Sequence, residues 1–315
     1  MECRICNNSH SNKEYSVKEM MLGLRDEFTY IECSKCGCLQ IATIPENMDK
    51  YYPSDYYSYS KDFIYAKSKT NEIIKKIRDH YIVFKRGLTG KIINRYLPNK
   101  DPHHTILSEI PLTKESEILD VGCGGGYLLL SLQKLGFKHL LGTDPYIDKD
   151  IDYENGVRVL KAPLSSINDK KDLIMFHHSF EHMPDPQETL VTVSRLLKDD
   201  GYCIIRVPTV SSYAWKHYKE NWVQLDAPRH FFLHSRESMN YMANKASLSI
   251  EKVVFDSTAF QFLGSEKYKR DLPLHDGTPY EDIFTESQIK DFELKARELN
   301  KKQQGDACAF ILKKN

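Results

Sequence analysis

The sequence predicts an α/β protein built on a doubly wound, seven-stranded Rossmann-like sheet, preceded by a small amino-terminal module and a helical connector. Short apolar runs alternate with amphipathic stretches from Glu117 onward, which is the pattern of parallel strands covered by helices on both faces. A glycine-rich loop at residues 122–126 follows the first apolar run. Five of the 8 cysteines lie in the first 38 residues, so we expect a separate module there.

The composition excludes several classes of protein. The 315 residues carry 44 Lys+Arg and 44 Asp+Glu, so there is no global attraction to nucleic acid or to an anionic membrane. The longest apolar runs are far shorter than the ~20 residues that cross a bilayer, and the amino terminus has no apolar segment typical of a secretory signal. We therefore expect a cytoplasmic protein without membrane insertion, in which clustered thiols indicate metal binding or chemistry.

The amino-terminal module, residues 1–50, is typical of a zinc ribbon. Its two C-x2-C pairs, separated by 26 residues, are formed by Cys3, Cys6, Cys33 and Cys36. Asn7 and Gly37 follow the two pairs and tolerate the positive φ of a tight turn. Four thiolates close a tetrahedron around Zn²⁺ and leave no open position, so we expect a structural metal. Cys38 is an alternative to Cys36 as ligand, although the C-x2-C spacing favours Cys36.

Residues 51–109 form the connector. It begins with a tyrosine-rich run at residues 51–59, and apolar residues then recur at helical spacing around Ile77 and Ile92, which predicts two amphipathic helices. Residues 61–109 carry 11 Lys/Arg and 5 Asp/Glu. This basic excess indicates either a site for a phosphorylated substrate or a solvated helix face.

The core, residues 110–315, is predicted to contain seven strands. They lie at residues 117–121, 139–143, 157–160, 172–176, 201–207, 248–255 and 306–312. Helices are predicted to begin at Tyr127 and to occupy residues 187–197, 236–246 and 286–300. The last strand is too apolar for a tail, so we expect it to return to the sheet.

The glycine loop indicates the class of cofactor. Gly122, Gly124 and Gly126 follow Asp120 in an acidic-x-G-x-G-x-G pattern, and Asp144 ends the next predicted strand. Glycines let the backbone approach a ligand, and an acid at the end of the second strand is placed for a ribose diol. A dinucleotide loop would need glycine at position 127, which is tyrosine, so hydride transfer is disfavoured.

From about residue 110 onward, the sequence resembles the class I S-adenosylmethionine-dependent methyltransferases. The resemblance rests on the glycine loop, on Asp144, on the H-x-x-E-H segment at residues 178–182 and on the apolar last strand. It implies that the glycines back the methionine moiety, that Asp144 takes the ribose hydroxyls and that the turn at residues 161–164 flanks adenine. The implied contacts of S-adenosylmethionine are Asp120, Gly122, Gly124, Gly126, Asp144, Pro145, Ala162, Pro163, Leu164 and His178.

Two histidines are candidate general bases for an acceptor hydroxyl. Methyl transfer is an in-line displacement, so the enzyme positions the acceptor and takes up its proton; imidazole, with a pKa of about 6.5, suits this at neutral pH. His182 follows Glu181 after a predicted strand, at the edge where ligands bind in such sheets. His230 lies in an aromatic segment, residues 222–234. Glu181, His182 and His230 are the candidate catalytic residues; a loop-capping His182 and a packed core His230 are the alternatives.

The acceptor-side segment, residues 211–235, supplies candidate substrate contacts. Arg229 is suited to a phosphate or carboxylate, and Gln224, Asp226 and Trp222 to a sugar; an ion-paired arginine and a core tryptophan are the alternatives. The zinc module together with W-x3-D-x-P-R-H at residues 222–230 resembles bacterial enzymes that methylate sugars in polysaccharide or antibiotic pathways. This resemblance implies O-methylation of a small-molecule or carrier-linked sugar, on a nucleotide-linked or glycan precursor.

Three alternatives stay open. Sugar C-methyltransferases share the zinc module and the H-x-x-E-H segment, but they carry a large additional carboxyl-terminal domain for which this chain has no room. Base methyltransferases of rRNA or tRNA also join a zinc ribbon to this core. However, the first 50 residues carry 6 Lys/Arg and 8 Asp/Glu and no N-P-P-[YF] segment occurs, so we do not expect a nucleic acid partner. The third is a non-catalytic module that binds S-adenosylmethionine. The oligomeric state, a homodimer included, is left open.

Overall fold

The computed structural model describes residues 1–52, 69–99 and 101–315, with side chains of the first connector helix from residue 72 onward. The strands are β1 (Lys13–Lys18), β2 (Glu27–Glu32), β3 (Leu39–Ile41), β4 (Glu117–Val121), β5 (His139–Thr143), β6 (Ile151–Asp152), β7 (Arg158–Leu160), β8 (Lys171–His177), β9 (Leu197–Pro208), β10 (Phe232–Leu233), β11 (Leu248–Phe255) and β12 (Ala307–Lys314). The α-helices are α1 (Lys69–Phe84), α2 (Leu88–Tyr96), α3 (Pro102–Leu107), α4 (Tyr127–Leu135), α5 (Pro186–Leu196), α6 (Tyr213–Tyr218), α7 (Arg236–Lys245), α8 (Phe260–Lys269), α9 (Tyr280–Ile283) and α10 (Glu286–Lys301). Short 3-10 turns occupy Met48–Tyr51, Leu164–Ser166, Phe180–His182, Lys219–Asn221 and Val223–Leu225.

The chain divides into two compact units, and neither is continuous in sequence. The first combines the described residues up to 52 with His178–Val191 and Ile205–Leu312. The second combines the described residues from 69 to 177 with Thr192–Ile204 and Lys313–Asn315. The predicted division into residues 1–50, 51–109 and 110–315 stays a prediction. Residues 232–233 add a strand to the amino-terminal sheet, a pairing that sequence order alone does not indicate.

In the first unit, the amino-terminal module forms a four-stranded sheet in the order β1-β2-β3-β10. The pairs are antiparallel: Tyr30 of β2 lies opposite Ile41 of β3, and Gln40 of β3 lies opposite Phe232 of β10. All three residues of β3 are buried, whereas β1 is largely exposed. The buried strand β3 therefore lies between β2 and a strand that comes from residues far along the chain, and the exposed β1 forms one edge of the sheet.

Two helices of the first unit, α7 and α10, begin with reciprocal side-chain caps. Ser235 caps α7 through a reciprocal bond with Ser238, and Thr285 caps α10 in the same way with Gln288, so each helix gains a partner for its first free amides. Helix α8 is buried over most of its length. Its Gly264 is required by close packing, since a Cβ there would lie 2.5 Å from a methyl carbon of Val223.

The second unit contains the glycine loop. Strand β4 pairs in parallel with both β5 and β8, and β5 pairs in parallel with β7. The buried residues of β4, from Ile118 to Val121, are apolar apart from Asp120, which is typical of a central parallel strand covered on both faces.

The larger sheet has eight strands in the order β11-β12-β9-β8-β4-β5-β7-β6, whereas the sequence predicted seven. The additional strand is β6, whose two residues pair antiparallel with β7. A strand so short leaves no apolar run in the sequence, which is why it was missed. All seven predicted strands are present, and the last one, β12, lies between β11 and β9.

Two further predictions concern the connector, residues 51–109. The two amphipathic helices are present as α1 and α2, and the short α3 follows them. The tyrosine-rich run lies outside the described residues from position 53 onward. Over the part of the chain that is described, no helix has both the length and the apolar character needed to cross a membrane.

Candidate functional site

The glycine loop joins β4 to α4 and requires its glycines for two reasons. Gly122, Gly124 and Gly126 have φ values of 70°, 51° and 75°, in the left-handed region that favours glycine. Gly126 also packs closely, because a Cβ there would lie 2.7 Å from a methyl carbon of Val159. The loop therefore presents backbone without side chains, as a ligand that approaches closely would need.

Asp144 is fastened to this loop. Its Oδ2 accepts the Gly124 amide at 2.9 Å, and its Oδ1 accepts the Tyr146 amide at 2.9 Å. The Asp144 amide in turn donates to the carbonyl oxygen of Leu160 at 3.0 Å. A carboxylate has about four lone-pair positions, so both oxygens retain capacity for hydroxyl donors. The structure thus brings together the two predicted cofactor elements, the glycine loop and the acid.

Asp120 lies buried in β4 beside this site. Burial, and next the negative charge of Asp144, raise the pKa of Asp120 to about 8. At neutral pH this carboxyl group is therefore mainly protonated. A cation bound beside it would favour the charged form.

Four other predicted cofactor contacts lie on neighbouring turns of the same unit, whereas His178 belongs to the first unit. The carbonyl oxygen of Ala162 accepts a hydrogen bond from the Thr143 hydroxyl, which ties this turn to the end of β5. Pro163 precedes the 3-10 turn that begins at Leu164, and Pro145 is exposed. Their contact with the cofactor stays a prediction.

In the first unit, Glu181 is the centre of a group of histidines. Its side chain is fully buried, and neither carboxylate oxygen has a hydrogen bond among the described residues. Nδ1 of His178 lies 3.4 Å from Oε1, and Nε2 of His230 lies 3.9 Å from the same oxygen. Burial alone would raise the pKa of Glu181, but the nearby His178 and the positive charges that His182 and His230 carry when protonated lower it to about 2. Glu181 is therefore a buried carboxylate.

One ring nitrogen of His182, Nδ1, has hydrogen-bond partners. Its Nδ1 lies 2.8 Å from the carbonyl oxygen of Arg229 and 3.3 Å from the hydroxyl of Tyr52. A bond donated to the carbonyl places the proton on Nδ1 and leaves Nε2 with a lone pair. Burial, and next the charge of His230, lower the pKa of His182. His182 is therefore neutral at physiological pH and able to accept a proton.

His230 is held in the same manner. Its Nδ1 lies 2.8 Å from the carbonyl oxygen of Gln224, and its Nε2 lies 3.7 Å from Oδ2 of Asp226. The centroids of the His182 and His230 rings are 4.9 Å apart. One potential ligand atom from each of Glu181, His182 and His230 lies within 4.8 Å of the others, a donor set that first-row divalent cations also accept. The three candidate catalytic residues form one cluster.

Arg229 has an internal role, which corrects its prediction as a substrate contact. The side chain has no exposed surface. Nη2 lies 2.9 Å from Oε1 of Glu19, Nε lies 3.0 Å from the carboxylate of Asp226, and Nη1 lies 3.1 Å from the carbonyl oxygen of Tyr51. Every part of the guanidinium is therefore engaged by the protein, and none is free for a phosphate or carboxylate of a substrate.

Trp222 is likewise a core residue and not an exposed sugar platform. It is fully buried, and its indole N–H donates to Oδ2 of Asp306 at 3.0 Å. Asp226 pairs with Arg229, so its carboxylate is also in use. Gln224 is half-buried, and its side chain as a sugar contact stays a prediction.

The four predicted metal ligands lie together. The Sγ atoms of Cys3 and Cys36 are 3.6 Å apart, those of Cys6 and Cys33 are 3.5 Å apart, and all four lie within 4.8 Å of one another. These separations approach the roughly 3.8 Å edge of a tetrahedron with ~2.3 Å Zn–S bonds. Cys38 is buried beside His234, with 3.9 Å between Sγ and Nδ1, and it does not belong to the group of four.

Both turns of the cysteine group have the predicted conformation. Asn7 and Gly37 have φ values of 57° and 66°. Their amides donate to the carbonyl oxygens of Cys3 and Cys33 at 2.8 and 2.9 Å. The two C-x2-C segments are therefore built alike, as expected for a paired metal site.

Sequence reasoning did not single out several residues at this site. Tyr52, which contacts His182, belongs to the tyrosine-rich run, so composition gave a signal without a role. Tyr30 donates from its hydroxyl to the carbonyl oxygen of His230 at 2.8 Å. Arg206 bonds to Nε2 of His178 and to Asp256. These contacts join distant segments and leave no local pattern.

Comparisons with known proteins indicate the same family as the glycine loop does. A family model described as "Methyltransferase domain" matches residues 86–253, just over half of the chain. The "Ubiquinone biosynthesis O-methyltransferase" of Rickettsia bellii (strain OSU 85-389) is 30% identical over 121 residues, which are 36% of this chain and 48% of that protein. The protein of the same name from Rickettsia conorii is 26% identical over 161 residues, 42% of this chain and 56% of that protein. The chain therefore spans about half the length of these curated relatives.

Two solved structures also show a partial similarity to the chain. A SAM-dependent methyltransferase from Archaeoglobus fulgidus is 20% identical, with a TM-score of 0.42 over 72% of this chain and all of that one. The cyclopropane synthase MmaA2 from Mycobacterium tuberculosis is 14% identical, with a TM-score of 0.43 over 76% of this chain and 98% of that one. On the family match and the glycine loop, the chain belongs to the methyltransferase domain family and has the α/β Rossmann-like fold of the class I, S-adenosylmethionine-dependent methyltransferases.

Proposed function

We propose that this protein transfers a methyl group from S-adenosylmethionine to a hydroxyl group of its acceptor. The observation that carries the proposal is the glycine loop fastened to Asp144 through the 2.9 Å bond from the Gly124 amide. Bare backbone beside a carboxylate suits a nucleoside with a ribose diol. When bound, the cofactor supplies a methyl group activated by a sulfonium.

The chain's own residues would hold the cofactor and manage the acceptor proton. Gly122, Gly124 and Gly126 leave room for the methionine moiety, and the free lone pairs of Asp144 accept the ribose hydroxyls. Because Asp120 carries a proton at neutral pH, a cationic amine beside it would shift the group to its carboxylate. These roles require no movement of β4 or β5, whose ends are already joined.

The cluster around Glu181 would take up the proton of the acceptor hydroxyl. A neutral imidazole with a free lone pair is the group needed, and the backbone bonds of His182 and His230 leave such a lone pair on each ring. The buried carboxylate of Glu181 would stabilise the imidazolium that forms. A separate base is therefore unnecessary.

The acceptor we propose is a sugar hydroxyl on a nucleotide-linked or glycan precursor, in surface polysaccharide or related biosynthesis. The resemblance of the zinc module and of residues 222–230 supports the sugar. The name O-methyltransferase of the curated relatives supports oxygen as the methylated atom. Carbon methylation of a sugar and base methylation of rRNA or tRNA are the alternatives, and a non-catalytic binding module is the least favoured. The cytoplasmic location and a homodimer also stay predictions.

We also propose that Cys3, Cys6, Cys33 and Cys36 hold a structural Zn²⁺, supported by the Sγ separations of 3.5 and 3.6 Å. The zinc content of the purified protein should be about one ion per chain. Cys36→Ser should lose that ion and lower the melting temperature. Cys38→Ser, the matched control, should keep it, because Cys38 lies outside the group. Retention of zinc by Cys36→Ser with loss in Cys38→Ser would reverse the assignment of the fourth ligand.

The activity is tested with S-adenosylmethionine and a panel of nucleotide sugars, glycan precursors and RNA hairpins, with the products identified by mass. His182→Asn and His230→Asn should each lower kcat by roughly 10²–10⁴ if that histidine is the base, with little change in affinity for S-adenosylhomocysteine. Since the pKa of His182 is lowered, the acid limb of kcat/KM should lie below about 6.5 and should disappear in His182→Asn. A fully active double variant would exclude both histidines.

A further inference from the structure

The α1–α2 hairpin, residues 72–97, carries most of the large apolar side chains that are exposed in the described part of the chain. Twelve large apolar residues are exposed there, and seven of them lie between positions 73 and 97. They are Ile73, Ile74, Ile77, Leu88, Ile92, Tyr96 and Leu97. Leu88 is 80% exposed and Tyr96 is 76% exposed. Apolar residues grouped in this way on a soluble surface indicate an interaction site.

The helices of the α1–α2 hairpin pack closely against each other, so the exposure of its apolar side chains does not reflect a poorly packed segment. Gly90 of α2 packs against α1 so closely that a Cβ there would lie 2.4 Å from Cβ of Tyr81. Arg78 of α1 donates to the carbonyl oxygen of Leu97 at 3.2 Å. The Phe84 ring at the end of α1 lies 5.1 Å from the ring of Phe137. The outward apolar face is therefore a fixed feature of the folded unit.

Basic residues lie among the apolar ones. On α2, Leu88, Ile92 and Tyr96 follow one another at intervals of four, and Lys91 and Arg95 lie at intervals of three or four from them. Residues spaced in this way share one face of a helix. Each of these five side chains is exposed. The face thus combines apolar tips with long cationic side chains.

The charges on the hairpin are mainly positive. Residues 72–97 carry seven Lys/Arg and two acids, Glu72 and Asp79. Asp79 pairs with Arg78 at 2.8 Å. Within the described residues, the other six cations make no ion pair; they are Lys75, Lys76, Lys85, Arg86, Lys91 and Arg95. The net charge of the whole chain is zero, so this positive surface is local.

We propose that the α1–α2 hairpin docks on an anionic phospholipid membrane, lying on its surface without crossing it. An apolar face with interspersed Lys and Arg enters the boundary between headgroups and acyl chains, while its cations meet the lipid phosphates. A second copy of this chain is a poorer occupant, because it would bring another positive surface against this one. A nucleic acid would match the charge but would leave the exposed leucines and isoleucines uncovered.

The test is co-sedimentation of the full chain with vesicles of phosphatidylcholine alone and of phosphatidylcholine mixed with phosphatidylglycerol. We expect binding to the mixed vesicles that weakens as salt is added. Lys91→Gln with Arg95→Gln should weaken it about 25-fold, since each basic residue near an anionic surface contributes about 1 kcal/mol. Leu88→Gln with Ile92→Gln should weaken it about tenfold or more.

Leu294→Gln is the matched control, because Leu294 is a 61% exposed leucine on α10; it should bind like the wild type. Circular dichroism establishes that each variant is folded. Absence of sedimentation, or equal binding to both kinds of vesicle, would overturn the proposal. A dimer seen by light scattering without lipid and lost in Leu88→Gln with Ile92→Gln would assign the face to a second copy. Failure here would leave the proposed methyl transfer unaffected, because no residue of the hairpin takes part in it.

Discussion

Asp120 carries a proton in the folded protein that it gives up in the unfolded chain. Burial in β4 and the nearby charge of Asp144 raise its pKa to about 8, whereas an unfolded aspartate ionises at about 3.9. Between these values the unfolded state releases the proton and the folded state keeps it. The free energy of unfolding contributed by Asp120 therefore decreases as the pH rises through this range.

Asp120→Asn should remove this pH dependence. We expect the free energy of unfolding of the variant, relative to the wild type, to increase by more than about 1 kcal/mol between pH 5 and pH 9, since one unit of pKa shift is about 1.4 kcal/mol. Urea unfolding of the cofactor-free variant and wild type at each pH measures this difference in the free energy of unfolding. Asp152→Asn is the control, because Asp152 is exposed. A difference that stays constant with pH would show that Asp120 ionises normally.

At the scale of elements, the amino-terminal sheet supports the segment that carries His230. Strand β10, which begins two residues after His230, pairs with β3. The amide of Ile41 donates to the carbonyl oxygen of Phe231 at 3.0 Å, and the hydroxyl of Tyr30 donates to that of His230 at 2.8 Å. The cysteine module is therefore a support for a candidate catalytic histidine and not an independent appendage.

Tyr30→Phe tests that support. Tyr30 is fully buried, so the variant leaves the His230 carbonyl without this donor, and we expect a loss of about 1–3 kcal/mol in the free energy of unfolding. The rate constant kcat should decrease while affinity for S-adenosylhomocysteine is kept. Tyr15→Phe is a matched control, because it removes a bond to Glu32 in the same sheet without touching His230. Equal effects of both variants on kcat would argue against a positioning role.

Strands and helices were predictable where their own residues follow a characteristic apolar pattern. Strands β4, β5 and β11 were predicted to the residue: β4 and β5 are short and mainly apolar, and β11 carries apolar residues at both of its ends. Strand β1 is exposed at most positions, so it has no apolar run to detect. The pairing of β10 with β3 depends on residues about 190 positions apart, and nothing local encodes it. Helix α8 is buried on nearly all sides, so it lacks the amphipathic pattern on which helix prediction depends.

At the scale of the whole molecule, some predicted site residues follow from local spacing in the sequence, and others depend on contacts between distant segments. The glycine loop and Asp144 follow from local spacing, and the structure joins them. The grouping of His182 with His230 was expected from the sheet edge, and the structure confirms that they are neighbours. Arg229 was predicted as a substrate contact, with an ion-paired arginine as the alternative. The structure has the ion pair, and the partner Glu19 lies 210 residues away. From the sequence alone, an arginine that forms a buried ion pair with a distant segment looks the same as an arginine that binds substrate.

The most direct test of the central claim is calorimetric titration of the zinc-loaded, folded protein with S-adenosylhomocysteine. We expect saturable binding at one site per chain. Asp144→Asn should weaken it roughly 10- to 100-fold, the factor for losing hydrogen bonds to a charged group, while the exposed Asp152→Asn should bind like the wild type. Absence of binding by the folded protein would contradict the assignment as a methyltransferase.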